Sequence, residues 1–209
     1  LDKVAFCKSL GVSIDQCEFI STGSPFDKES RPIHFVPVGN MGKKFINYTL
    51  PKMAIGINEI LKAHPDEKGI IHTNSYSNAH SIYNDLRNPR LLIHNSSNRE
   101  RVLEQHIHSE KPTVLLTPSM TEGVDLKYEL SRFQILCKIP YPYLMDPQIQ
   151  LKMKMQPWWY NYQTAKTIIQ ALGRSVRTED DHAVSYILDS AWAWFYKSNI
   201  QLFPGWFRE

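Results

Sequence analysis

The chain lacks the features of a membrane protein or a metalloenzyme. No apolar run reaches the roughly 18 residues that a spanning helix needs. No secretory leader is visible, because Asp2, Lys3 and Lys8 interrupt the short apolar pieces at the start. Cys7, Cys17 and Cys137 are odd in number and form no CxxC pair and no zinc or iron–sulfur spacing. That usage points to reduced thiols and a cytoplasmic setting. His72, His80, His106 and His108 do not fall in an HExxH pattern, so no metal-ligand set is expected. A phosphate loop is missing too. Between Gly39 and Gly42 lie only two residues, and Lys44 follows Lys43 where a serine or threonine would be needed. The run 39–44 reads as a flexible basic loop. There is no low-complexity tract, linker or internal repeat.

What is present is ordinary globular material: 209 residues, 42% hydrophobic and 22% charged. That supports a real core. The net charge of +3 is compatible with nucleic acid but selects nothing by itself. The first residue, Leu1, is not methionine, which agrees with a piece of a longer protein.

Apolar runs alternate with helical patterns along most of the chain. A short helix is expected to end at Gly11, a short strand at 17–21 and a turn at 24–27. Strands are expected at 33–38, 69–73, 91–94, 113–117, 133–139 and 183–188. Helices are expected from Pro51 at the first helical position to Ala63, from Ser77 to Leu86, from Ser97 or Asn98 to His108, and over 148–156. This rhythm predicts an α/β fold, a mostly parallel sheet with helices on both faces. The chain reads as one domain, with residues 1–30 as an irregular opening segment.

The most informative stretch is Gln170 to Arg177, late in an amphipathic helix expected to begin near Trp158. Trp158, Tyr162, Ala165, Ile169, Leu172 and Val176 make its apolar stripe. If the helix runs that far, Gln170, Arg174 and Arg177 share a second face, and Gly173 between them leaves room for a ligand. Guanidinium groups bind phosphate oxygens in pairs and stay charged at any relevant pH. A solvated surface helix is the plainer reading of two arginines alone.

Three loops at the carboxyl ends of expected strands carry further chemistry, and ligands of open α/β sheets gather there. They are Thr73-Asn74-Ser75-Tyr76, then Ser119 to Asp125, then Lys138 to Tyr143. Taken singly, the first reads equally as a turn that caps the next helix, and Glu122 to Asp125 as a turn around Gly123.

Taken together and in order, these runs resemble motifs IV, V and VI of superfamily 2 helicases. Glu122-Gly123-Val124-Asp125 followed by Ile139-Pro140-Tyr141-Pro142 is similar to the DinG/XPD-like branch, as is Gly23-Ser24-Pro25-Phe26 near the start. The resemblance covers residues 20–190. It implies the second RecA-like lobe of a P-loop NTPase-type DNA helicase. On that resemblance Arg174 and Arg177 act as arginine fingers, and Gln170 contacts the γ-phosphate or the attacking water. Glu122, Gly123 and Asp125, with Gly173, serve ATP binding and coupling. Thr73, Ser75, Tyr76, Thr121 and Tyr141 meet single-stranded DNA. The sequence holds no GxxxxGK[ST] and no acidic Walker B box. ATP and Mg²⁺ are therefore expected to be held mainly by an N-terminal lobe of the same protein, and this lobe alone is expected to be inactive. No iron–sulfur cysteines of the XPD type stand in this chain. Movement is expected to run 5′ to 3′. The other readings are a duplex translocase lobe of the same superfamily and a non-catalytic RecA-like module that binds nucleic acid. The aromatic tail from Trp192 to Phe207 reads as core packing or as a docking surface.

Overall fold

A computed structural model describes residues 3–20, 24, 26–118, 126–173, 175–176 and 178–208. The chain divides into two compact units where the sequence rhythm suggests one domain. One comprises Phe26–Ile139 with Ala171–Trp192, the other Leu1–Pro25, Pro140–Gln170 and Ala193–Glu209.

The first unit holds the sheet. Its elements in chain order are β1 (Ile33–Gly39), α2 (Ile46–Ala63), β2 (Gly69–His72), α3 (Tyr76–Leu86), β3 (Leu91–Ile93), α4 (Arg99–His108), β4 (Val114–Thr117), β5 (Phe133–Leu136) and β6 (Val184–Asp189). α1 (Lys3–Leu10), α5 (Pro147–Met155) and most of α6 (Trp159–Leu172) belong to the other unit, with α7 (Ala191–Ser198) and α8 (Gly205–Arg208) completing the order. The six strands lie in the order β1-β6-β5-β2-β4-β3, and every described pairing is parallel. β2, β4 and β5 are buried at every position. That explains why they read as continuous apolar runs.

Alternate residues of a strand point to opposite faces. Ile71, Leu116 and Ile135 pack with Met53, Ile57 and Leu61 of α2 and Ala79 and Ile82 of α3. Their neighbours Ile70 and Leu115 pack with Val102 of α4 and Leu126. The sheet thus has helices on both faces. Gly69 is required at the start of β2, because a Cβ there would stand 2.4 Å from the Phe133 ring.

Several boundaries differ from the sequence reading. α2 starts at Ile46, five residues before Pro51, because the N–H groups of Phe45 and Ile46 both donate to the Gly42 carbonyl and open the helix there. Pro51 is accommodated inside the helix. The run 39–44 is tied down: Thr49 Oγ1 donates to the Asn40 carbonyl, and Met41 is fully buried. Residues 17–20 form no strand. The described part of the strand 33–38 extends to Gly39, with an irregularity between Phe35 and Gly39 around Pro37.

In the second unit the tail folds on itself. Phe203 meets Phe195, Tyr196 and Phe207 at centroid distances of 6.3, 5.2 and 4.9 Å. Such aromatic clusters hold through area and edge-to-face geometry. Trp194 stays exposed.

Candidate nucleotide and nucleic-acid site

Parallel strands bring their carboxyl ends to one edge of the sheet. Thr73 follows β2 there, His94 follows β3, and Thr117 closes β4. A hydrogen-bond network joins the three. The Thr73 N–H donates to the Thr117 carbonyl at 2.9 Å, and Thr73 Oγ1 lies 3.1 Å from the Ser75 carbonyl. His94 Nε2 is 2.9 Å from Thr117 Oγ1, and Asn78 Nδ2 donates to the Thr73 carbonyl at 3.1 Å. The side chains of Thr73, His94 and Thr117 are buried.

This corrects the expectation for Thr73. Its hydroxyl is turned inward and consumed by carbonyls, so it shapes the loop and has no surface to offer a phosphate. Ser75 is the N-cap of α3, where its Oγ accepts from the Asn78 N–H at 3.1 Å. Tyr76 is 37% exposed and stands edge-on to the His94 ring at 5.8 Å. Between Thr73 and Ser75, exposed Asn74 takes a left-handed backbone with φ 63°. Asparagine tolerates that region better than most side chains. The loop therefore presents Asn74, Ser75 and Tyr76 outward at the N-terminus of a helix, where N–H groups and the helix dipole favour anions.

At the neighbouring strand ends one carboxylate organises the backbone. Asp189 is buried at the end of β6. Its Oδ1 accepts from the N–H groups of Met41 and Ala191 at 3.2 and 3.0 Å, and its Oδ2 from that of Ile139 at 3.0 Å. Little in the local sequence announces this role, since two of the three donors, Met41 and Ile139, come from distant segments. Burial and the Asp189 charge push the nearby Cys137 thiol up, which makes that residue a core group and a poor nucleophile.

The Gln170 to Arg177 run is only partly within the described residues. α6 runs from Trp159 to Leu172 and carries Gln170 near its end. The physical reasons for that end are one local residue and two distant partners. Gly173 is a poor helix former. The Leu172 carbonyl is taken by Gln134 Nε2 at 2.7 Å, and Ser175 Oγ pairs with Ser131 Oγ at 2.8 Å. Gln170 is exposed and Gly173 partly so. The buried stripe of the helix runs through Trp159, Tyr162, Ala165, Ile168 and Leu172, shifted by one from the expected Trp158 and Ile169. Arg174 and Arg177 lie outside the described residues, as do Thr121, Glu122, Gly123 and Asp125.

Tyr141 belongs to the second unit. It stacks on Tyr160 at 5.8 Å and meets Phe195 edge-to-face at 5.6 Å. These contacts brace a half-buried ring in the loop that follows Ile139. Among the described residues no group of three or more His, Cys, Asp or Glu side chains is arranged to hold a metal. No helix among them is long and apolar enough to cross a membrane.

The helicase C-terminal domain family matches residues 57–209, which takes in the Thr73 loop, segment 119–125 and the 170–177 run. The chain belongs to this family. Among curated relatives of this helicase domain, the ATP-dependent DNA helicase DinG of Photobacterium profundum is 25% identical over 88% of the chain, and the chain spans 29% of that relative. The human regulator of telomere elongation helicase 1 is 30% identical over 42% of the chain, which covers 8% of it. Of solved structures, S. tokodaii Xpd4 aligns with 80% of the chain and 36% of its own, at TM-score 0.61 and 19% identity. The C-terminal domain of the DEAD-box protein Dbp5 aligns with 84% of the chain and 86% of its own, at TM-score 0.55 and 13% identity. The helicase domain's fold is thus the RecA-like α/β sheet shared by these second lobes.

Proposed function

We propose that this helicase domain is the C-terminal motor lobe of an ATP-dependent DNA helicase of the DinG/XPD-like branch. The observation that carries the reading is the family match over the run Gln170 to Arg177 and both upstream loops, in a sheet whose carboxyl edge presents Asn74, Ser75 and Tyr76. On this reading Arg174 and Arg177 face the γ-phosphate of an ATP held, with its Mg²⁺, by an N-terminal lobe. Their fixed charge stabilises the phosphoryl group as the bond breaks. Gln170 contacts the γ-phosphate or the attacking water, and Gly173 keeps the backbone clear. Glu122, Gly123 and Asp125 couple nucleotide state to the position of the lobe. Ser75, Tyr76 and Thr121 touch the phosphates or a base of single-stranded DNA without reading sequence. Closure on ATP and release after hydrolysis then advance the strand.

The test has two arms. The chain alone, with single-stranded DNA, is expected to hydrolyse ATP no faster than buffer. Joined to the first lobe, it should support hydrolysis that Arg177→Ala reduces by about 10³–10⁵ in kcat. DNA-stimulated hydrolysis by the chain alone, abolished by Arg177→Ala, would overturn the division of labour between lobes.

A further inference from the structure

The second unit holds a groove that neither the motifs nor the reading above uses. Its volume is about 680 Å³, in the range of ligand sites. Its walls come from α1, the loop 140–146, α5 and α6, all within that unit. Phe6, Tyr143 and Trp159 give it aromatic faces, and Lys152, Lys166 and Gln163 give it polar heads.

Four observations define what it can take. First, its charge is one-sided. Between residues 140 and 170 stand Lys152, Lys154 and Lys166 against the single acid Asp146. Asp146 is already committed, since its carboxylate caps α5 by accepting the Gln148 N–H at 2.8 Å. Among the described ion pairs, none involves Lys152 or Lys166. Second, the groove's two aliphatic hydroxyls are turned to backbone: Thr167 donates to the Gln163 carbonyl and Ser9 to the Phe6 carbonyl. The ammonium groups, the Gln163 amide and the Tyr143 phenol face a ligand as donors. Third, the loop is pinned by hydrogen bonds. Tyr160 holds the Pro142 carbonyl, and Gln150 holds the Leu144 carbonyl at 2.8 Å. Tyr141 is half-buried against Tyr160, while Tyr143, two residues on, is 72% exposed. Fourth, α5 has no buried residue and continues the surface outward with exposed Leu151 and Met155. Lys152 Nζ lies 4.7 Å from the centroid of the buried Trp159 ring, which holds the cation at the groove wall.

Cations beside flat apolar faces match a chain of phosphates and bases. A small anion would not use the exposed rings, and a duplex hides its base faces. We propose that this groove binds single-stranded nucleic acid, with Lys152 and Lys166 on backbone phosphates and Tyr143 stacked on a base. The proposal rests on the reading that the helicase domain handles single strands. It adds a second contact region, separate from the Ser75–Tyr76 loop in sequence.

The test uses the whole chain and a fluorescein-labelled oligothymidylate, read by anisotropy across a salt series. The double variant Lys152→Gln/Lys166→Gln should weaken binding about ten-fold or more and flatten the salt slope by about 1.4, the share of two phosphates on a single strand. Tyr143→Ala should weaken binding about ten-fold with the slope unchanged. Lys152→Arg/Lys166→Arg should bind as the parent does, and thermal melting should show all variants folded. Lys62→Gln on α2, whose ammonium pairs with Glu59, is the control and should change nothing. If the parent binds the oligonucleotide and the groove variants bind it equally well, the groove is the wrong site while the helicase reading stands. If the parent binds polyglutamate and not the oligonucleotide, the groove takes an acidic protein segment and the proposal fails. The hydrolysis arm above then judges the motor reading independently.

Discussion

At the amino edge of the sheet, cations hold the backbone. Arg90, just before β3, donates to the carbonyls of Leu61, His64, Glu67 and Pro112. Lys68, just before β2, donates to those of His106 and Ile107. Arg132, just before β5, pairs with Asp181 at 3.0 Å and with Glu129. At the carboxyl edge acceptors do the holding: Asp189 takes three N–H groups, and Ser75 takes one. The reversal follows from chain direction. In a parallel sheet each crossover helix returns its C-terminus, with unpaired carbonyls, to the amino edge, and starts its N-terminus, with unpaired N–H groups, at the carboxyl edge. Leu61, His64 and His106 are such C-terminal carbonyls. The amino edge is closed by its own side chains. The carboxyl edge keeps Asn74, Ser75 and Tyr76 facing outward, and its helix starts attract anions.

Four changes test this division, from the largest expected effect down. Asp189→Ala would leave three backbone N–H groups without their acceptor, at a cost of about 4 kcal/mol and a melting point about 8–16 °C lower. Asp189→Asn, which keeps one oxygen, should recover part of it. Arg90→Ala should cost about 3 kcal/mol in urea unfolding while leaving oligonucleotide affinity per folded molecule unchanged. A change in affinity larger than the change in stability would break the assignment of the amino edge to stability. Arg90→Lys should rescue little, because one ammonium cannot span the four carbonyls.

The third change concerns pH. His106 is buried between the Leu130 carbonyl, which its Nε2 faces at 2.9 Å, and Thr113 Oγ1, 2.9 Å from its Nδ1. Burial lowers its pKa, the Leu130 carbonyl opposes that, and the Lys68 charge lowers it further. The unfolded chain then binds the proton more readily than the native one. Stability contributed by neutral His106 is complete above about pH 6.5 and is lost as the pH falls from there towards the folded pKa. Unfolding measured from pH 7.5 to 5 (a range chosen to bracket about 6.5) should show this slope, and His106→Gln should flatten it. The smallest effect is at Asn74. Glycine accepts a φ of 63° freely, so Asn74→Gly should stabilise by a few tenths of a kcal/mol, up to about 1. A loss instead would mean that the Asn74 side chain holds the carboxyl-edge loop in a way the strand ends do not.

Much of the sheet was legible because β2, β4 and β5 are buried on both faces and show as bare apolar runs. The helices packed on them were legible from periodicity, with Met53, Ile57, Ile60 and Leu61 all inward as expected. What escaped were features set by partners far along the chain. Pro51 looked like a helix start because the sequence does not reveal that Gly42 opens the helix earlier. The end of α6 depends on Gln134 and Ser131, roughly forty residues upstream of Leu172 and Ser175. Two of the three donors to Asp189, and the Thr117 hydroxyl beside His94, likewise lie far along the chain. Thr73 stands where a loop residue should, but its side chain turns inward, and type and position alone do not give direction.

Pro37 in β1 has a consequence for how the molecule behaves among its copies. β1 and β3 are the outermost strands of the sheet. An open strand edge is a template on which another chain can add. At β1, proline removes a donor and the ladder is irregular between Phe35 and Gly39. At β3 the strand is three residues long, Leu91–Ile93, too short to offer a stable pairing register. One side is spoiled by a ring and the other by brevity, so the sheet stops growing at its own two ends.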